Sequence, residues 1–201
     1  MPARRPADLL LLGVTLVELT LLFLLIPRFT IADWIYLSQH LLVLGIALTR
    51  GAPTAEDHSL RPSAAVVVSY SYPYAQVAYL EWVSGHPAWP AGGFVLVVLA
   101  ACLSLASLLT LGRWFGVRPA LRGLATTGPY ALVRHPMYLA YVLADIGYNL
   151  EEWNFGTVLL TITGWASLVY RIHAEERILS RDVGWASYLA RVRYRLAPGL
   201  W

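Results

Sequence analysis

Apolar residues run through this chain in long, nearly unbroken stretches, with polar residues gathered between them. A bilayer core of ~30 Å takes about 20 mostly apolar residues per helix, and six stretches approach that length: Leu9–Ile26, Ile31–Thr49, Ala64–Val83, Ala91–Leu111, Pro136–Leu150 and Phe155–Tyr170. Ala64–Val83 departs most from the pattern, because it carries Ser69, Ser71, Pro73, Gln76 and Glu81. The last two stretches are short. They span only if neighbours pack around them, or if the second continues as a helix beyond the membrane. The pattern predicts an all-α fold, a polytopic bundle of transmembrane helices with about six spans.

The arginines test this division independently, since short Arg-rich loops stay cytoplasmic. With six spans the inner segments are 1–8, 50–63, 112–135 and 171–201. They hold fourteen of the fifteen arginines, beginning with Arg4, Arg5, Arg50 and Arg61, and leave only Arg28 outside. The last outer connection carries Glu151 and Glu152 instead. Without Ala64–Val83 as a span, the arginine-bearing loops would fall on opposite faces, so both termini are expected in the cytoplasm. A secretory signal beginning at Arg4-Arg5 fits poorly, because the apolar run is long and no small-x-small cleavage site follows it.

Composition agrees with a membrane protein: 58% hydrophobic residues, 13% charged, and a mean hydropathy of +0.56. All the basic residues are arginine, and a net charge of +3 is too small to indicate a nucleic-acid partner. Cys102 is the single cysteine, so no disulfide or Cys-based metal site forms within the chain, and its apolar surroundings suggest a small core residue. His58 and His86 show no metal-ligand spacing. Trp34, Trp82, Trp89, Trp153 and Trp201 fall near predicted interfaces, where aromatic belts occur. Charged or polar groups within spans are costly and often functional. Glu18 and His40 read first as links between helices, whereas Asp145 suits either a pairing with His40 or a nearby hydroxyl, or a catalytic role. Asp33 and Glu81 lie near span ends and are expected to reach interfacial water.

Chemistry concentrates in 112–138 and 171–201. Gly128-Pro129 marks a turn, and Pro136 suits the first position of a helix, with His135 at its cap. Such a helix start attracts anions, and Arg134 adds a full charge beside it; alternatively Arg134 and His135 mark only the membrane boundary. Further on, helical spacing puts Arg171 and Glu175 four apart on one face, with His173, Glu176 and Arg177 pointing elsewhere. That pattern alone is equally that of a surface helix laced with ion pairs. Both clusters lie on the same predicted side, so an anion site and an Arg–Glu pair can converge. Two opposite charges in one pocket suit a zwitterion, and S-adenosylmethionine, with a sulfonium that favours aromatic faces such as those of Tyr130 and Tyr138, fits that description. No G-x-G-x-x-G occurs, and no βαβ unit is present to hold one.

These residues also carry a resemblance. Gly128-Pro-Tyr130, Arg134-His-Pro-Met-Tyr138, Arg171, Glu175-Glu176 and the closing Tyr188, Arg193 and Pro198 resemble the isoprenylcysteine carboxyl methyltransferase family and its bacterial relatives, over about 112–201. The resemblance implies a membrane-embedded methyltransferase that takes S-adenosylmethionine from the cytoplasm, in a bacterial inner membrane, and a lipophilic or lipidated acceptor from the bilayer. It assigns Leu124, Ala125, Tyr130, His135, Pro136, Met137 and Tyr138 to the cofactor, Glu175 to the cofactor as a catalytic ligand, and Arg171 to the substrate side. Residues 1–111 would be scaffold and lipid access. The family's eukaryotic members are expected to be longer.

Two other readings remain open at the level of sequence. Membrane sterol reductases share a similar C-terminal architecture but bind NADPH, whose phosphates need several cations, and Glu175-Glu176 argues against it. A small non-enzymatic membrane protein would show polar residues at mid-depth and often a repeated half. The tail arginines Arg191, Arg193 and Arg195 fit anionic lipid headgroups. The acceptor is not identified: a carboxylate, thiol or amine would serve.

Overall fold

A computed structural model describes residues 6–25, 31–57, 59–84, 91–151, 153–199 and 201. Arg4, Arg5, Arg28, His58, His86, Trp89 and Glu152 lie outside the described residues, as do the side chains of Asp33, Glu81 and Glu151. The six apolar stretches form six helices: α1 (Pro6–Leu25), α2 (Ile31–Thr49), α3 (Leu60–Ser84), α4 (Ala91–Leu111), α5 (Pro136–Glu151) and α6 (Phe155–Leu179), followed by a short α7 (Trp185–Arg191). The polar stretch Ala64–Val83 is helical throughout, including Pro73. α5, at 16 residues, is about 24 Å long, whereas α6 has 25 and runs about 37 Å. α6 therefore continues past Tyr170, as its short apolar part required. Gly92–Trp114 and Phe155–Leu179 are long and apolar enough to cross a membrane.

One feature among the described residues breaks the all-helical expectation. Ala55–Glu56 (β1) pairs antiparallel with Ala120–Leu121 (β2). The ladder is extended by Thr54 N–H to the Leu121 carbonyl at 2.8 Å and Asp57 N–H to the Pro119 carbonyl at 3.0 Å. Backbone groups freed where helices end need partners, and the two arginine-bearing loops supply them to each other. Arg50 adds a bond to the Phe115 carbonyl (3.0 Å) and Arg113 one to that of Thr49 (2.7 Å). At α5, the amides of Arg134 and His135 donate to the carbonyls of Tyr194 and Arg195 at 2.9 and 2.8 Å. Segments 50–63, 112–135 and 171–201 thus share one end of the bundle, so α3 leaves that end, α4 returns, α5 leaves and α6 returns.

Close packing fixes this arrangement. Where α4 meets α5, a Cβ on Gly93 would lie 2.8 Å from the Gly147 carbonyl oxygen, and one on Gly147 equally near that of Gly93. Only glycine permits that approach. α3 lies on α6, with the Tyr72 ring against Gly164. Many large apolar side chains point outward, among them Phe23, Leu99, Leu109 and Ile162; such faces suit lipid. Cys102 belongs to this outward set and is not a core residue. α4 buries its opposite side, where Val97, Ala100, Ala101, Ser104 and Leu108 meet the bundle.

Several polar side chains inside the bundle are paired, as low-dielectric surroundings favour, whereas Gln76 of α3 is buried with no hydrogen-bond partner among the described residues. Gln39 donates to the Ala101 carbonyl (3.0 Å) and accepts from Ser104 (2.8 Å), linking α2 to α4. Glu18 and His40 pair at 3.3 Å between α1 and α2. Asp145 takes the hydroxyl option: Tyr72 Oη (2.9 Å) and Trp165 Nε1 (2.7 Å) both donate to its Oδ2, and His40 bonds to Glu18 and Tyr74 instead.

Trp34, Trp82 and Trp153 are exposed. Trp201, also exposed, lies over Arg195, 4.8 Å from guanidinium to ring, and touches His173.

Candidate functional site

The site is built at the arginine-bearing end, where loops and helix starts converge. Gly128 opens a single 3-10 turn, Gly128–Ala131, at φ +55°, a conformation that favours glycine. That turn buries Tyr130, whose carbonyl accepts a 2.9 Å bond from the Tyr188 hydroxyl of α7. Trp185, Tyr188 and Val192 form a small apolar cluster with Leu124 and Leu179, clamping the loop before the turn against the end of α6. α5 then starts at Pro136 with His135 immediately before it, as the sequence predicts.

The Arg171–Glu175 pair forms as expected, at 3.7 Å along α6. Tyr138 donates its hydroxyl to Glu175 Oε1, and His135 Nδ1 lies 4.0 Å from Oε2. His135 stacks on Tyr138, ring centres 5.6 Å apart. Arg171 is 4% exposed and doubly anchored, to Ser69 Oγ at 2.6 Å and the Val117 carbonyl at 3.4 Å. Its guanidinium lies between the rings of Tyr70 and Tyr138, 5.3 and 5.1 Å from their centres.

Glu176 does different work from its neighbour. Arg195 grips its Oε2 through Nε and Nη2 (3.0 and 2.8 Å), while Arg134 Nε (3.0 Å) and His135 Nε2 (3.3 Å) reach Oε1. Burial opposes ionisation, yet the hydrogen bonds from His135 and Arg195 and the Arg134 charge outweigh it and hold this carboxyl down at about 2. Two expectations change accordingly. The Arg134 charge is balanced within the protein, and Arg195 is locked to Glu176, leaving Arg191 and Arg193 exposed. The Tyr130 hydroxyl is pushed well up, first by burial and then by the nearby Glu175 charge, so it stays protonated.

A cleft of about 860 Å³, counting its open mouth, gathers these groups. Leu124, Ala125, Tyr130, His135, Met137, Tyr138, Arg171 and Glu175 all line it. Pro136 does not; it is fully buried behind the wall. The cleft also recruits residues that the sequence reading did not single out, including Tyr70, Trp114, Arg118, Arg122, Tyr141 and Trp185. Arg118 and Arg122 carried a signal, but their loop was credited to membrane sidedness. Tyr70 lies in the polar third stretch, between Ser69 and Ser71, where nothing local sets it apart. Gly123 is required here, because a Cβ on it would lie 2.5 Å from the Trp114 indole. Glu176 is not in the wall.

A second cavity, about 1170 Å³ counting its open mouth, continues into the bundle and shares Tyr70, Phe115, Met137 and Tyr141 with the cleft. Among the described residues no group of three or more His, Cys, Asp or Glu side chains is placed to hold a metal.

The chain is similar to known proteins over much of this region. Residues 93–181 match the model of the isoprenylcysteine carboxyl methyltransferase family, reaching further into α4 than the motifs suggested and stopping before the tail. Protein-S-isoprenylcysteine O-methyltransferase A of Arabidopsis thaliana is 26% identical over 98 residues, 46% of this chain and 50% of that protein. Protein-S-isoprenylcysteine O-methyltransferase B of the same plant is 25% identical over 187 residues, 87% and 90% of the two chains. The match thus spans half of the first relative and nearly all of the second, which is about as long as this chain rather than longer.

Proposed function

We propose that this chain is an integral membrane methyltransferase that transfers the methyl group of S-adenosylmethionine to a lipophilic or membrane-accessible acceptor. The observation that carries the reading is the convergence of Glu175, Arg171, Tyr138 and His135, drawn from two distant segments, on one cleft at the arginine-bearing end. The family match over 93–181 and the names of both relatives support it. In this reading α1 to α6 all cross the bilayer and the arginine-bearing end faces the cytoplasm, here that of a bacterial inner membrane. Residues 1–111 supply scaffold and lipid access, and 112–201 the cofactor region.

The residues present suit the cofactor. Glu175 offers a carboxylate to an ammonium, and the rings of Tyr130 and Tyr138 face a cleft large enough for a nucleoside and its amino-acid arm. Leu124, Ala125, His135 and Met137 complete that wall, and Pro136 supports it from behind. Bound there, S-adenosylmethionine supplies an electrophilic methyl group on a sulfonium. The protein's task is then to hold the nucleophile in line and exclude water. Arg171, fixed by Ser69 and flanked by Tyr70 and Tyr138, stands where cleft and inner cavity meet. It orients an anionic acceptor there, and Trp114 and Trp185 shield the cleft.

Thermal unfolding of the purified protein with S-adenosylhomocysteine or NADPH tests the cofactor. Stabilisation by the first alone is expected, and stabilisation by NADPH alone would replace the methyltransferase reading with a reductase. Methyl-labelled cofactor with a total lipid extract then reports whether label enters lipid, protein or a volatile product.

A further inference from the structure

The two cavities differ in charge. The cofactor cleft is lined by Arg118, Arg122, Arg134 and Arg171 against one carboxylate, Glu175. The inner cavity has Glu18 and Asp145 in its wall, His40 beside them, and no arginine among the described residues. Six tyrosines complete it: Tyr36, Tyr70, Tyr72, Tyr74, Tyr141 and Tyr148. His40 already serves Glu18, whereas among the described residues Asp145 has two neutral donors, Tyr72 and Trp165, both on Oδ2. Asp145 is 3% exposed and seven residues, about 10 Å, along α5 from Tyr138.

We propose that the inner cavity binds an amine-bearing amphiphile, with its ammonium held by Asp145 inside the tyrosine cage. A carboxylate buried at membrane depth calls for a cation, and tyrosine faces attract organic ammonium groups. Calling this ligand the methyl acceptor rests on the function proposed above. Such an acceptor carries two polar groups, the one to be methylated beside Arg171 and Tyr138 and an ammonium about two helical turns deeper. An acceptor that is a plain hydrocarbon beyond its reacting group leaves Asp145 unmatched.

The test uses the full chain in nanodiscs of zwitterionic lipid, with empty nanodiscs as reference, and titrates dodecylamine and dodecanol without cofactor. The amine should bind at least about tenfold more tightly than the alcohol, the worth of one charge-assisted contact. Asp145→Asn should erase that preference while leaving the alcohol's affinity unchanged. Equal affinities in the unmodified protein, or a preference that survives Asp145→Asn, would overturn the proposal; the first comparison needs no variant to fold. S-adenosylhomocysteine is titrated in the same preparation. Its failure to bind beside an intact amine preference refutes the cofactor reading alone, and cofactor binding without amine preference refutes the cavity assignment alone.

Discussion

Arg171 donates a 2.6 Å hydrogen bond to Ser69 Oγ, joining the helix that carries Glu175 to the wall of the inner cavity. The bond crosses 102 residues of sequence and fixes a guanidinium that is also held between two tyrosine rings. A lysine keeps the charge but not the planar fork that reaches Ser69 and the Val117 carbonyl together. Arg171→Lys should therefore lower turnover on the acceptor by roughly 10- to 100-fold. Affinity for S-adenosylhomocysteine, measured by titration calorimetry, should change little.

Glu175→Ala should abolish S-adenosylhomocysteine binding, because the substitution removes the one carboxylate in the cleft wall. Tyr138→Phe, which deletes only the hydroxyl that Glu175 receives, should weaken binding by a smaller factor, about 3- to 10-fold, read by the same titration.

Glu176 should control stability rather than binding. Its carboxyl is held at about 2 in the folded protein against an ordinary 4.5. The folded state therefore binds fewer protons than the unfolded one, and the stabilisation, fully present above about pH 4.5, is lost as pH falls toward 2. Glu176→Gln should lower the thermal midpoint at pH 7 and reduce the steepness of acid unfolding across that window.

Gly147→Leu should be more damaging than any exposed apolar substitution on α5. Its side chain would collide with the Gly93 carbonyl and Val97, and overpacking of this kind costs about 1–3 kcal/mol. Thermal unfolding in detergent measures it, with Ile146→Leu, at an exposed neighbour, as the control.

The helices were legible because six apolar runs stand out along the chain, and propensity adds little to that signal. The adjacency of Arg171 to Glu175 and of His135 to the start of α5 was legible for another reason: spacing within one helix and one helix start fixes neighbours locally, while spacing says nothing of what they bind. Contacts between distant segments were not. Nothing in the Ser69–Tyr70 neighbourhood indicates that it packs on Arg171, since the partner depends on how α3 is rotated against α6. Charge likewise does not reveal its partner, so Arg134 and Arg195 read as free surface cations until Glu176 is seen between them. Cys102 was misplaced because the polar residues Ser104 and Ser107 of α4 mark its buried face rather than an outward one, the reverse of the pattern in a helix that faces water.

The backbone bonds from Arg134 and His135 to Tyr194 and Arg195 also impose an order of assembly. A helix start that faces the cleft depends on carbonyls made about sixty residues later, so α5 is synthesised before the groups that secure its own beginning. The cleft has its full set of partners only once that tail is made. A nascent chain stalled before Tyr194 carries the residues proposed for the cofactor but lacks the carbonyls that hold His135, one of them, and its neighbour Arg134.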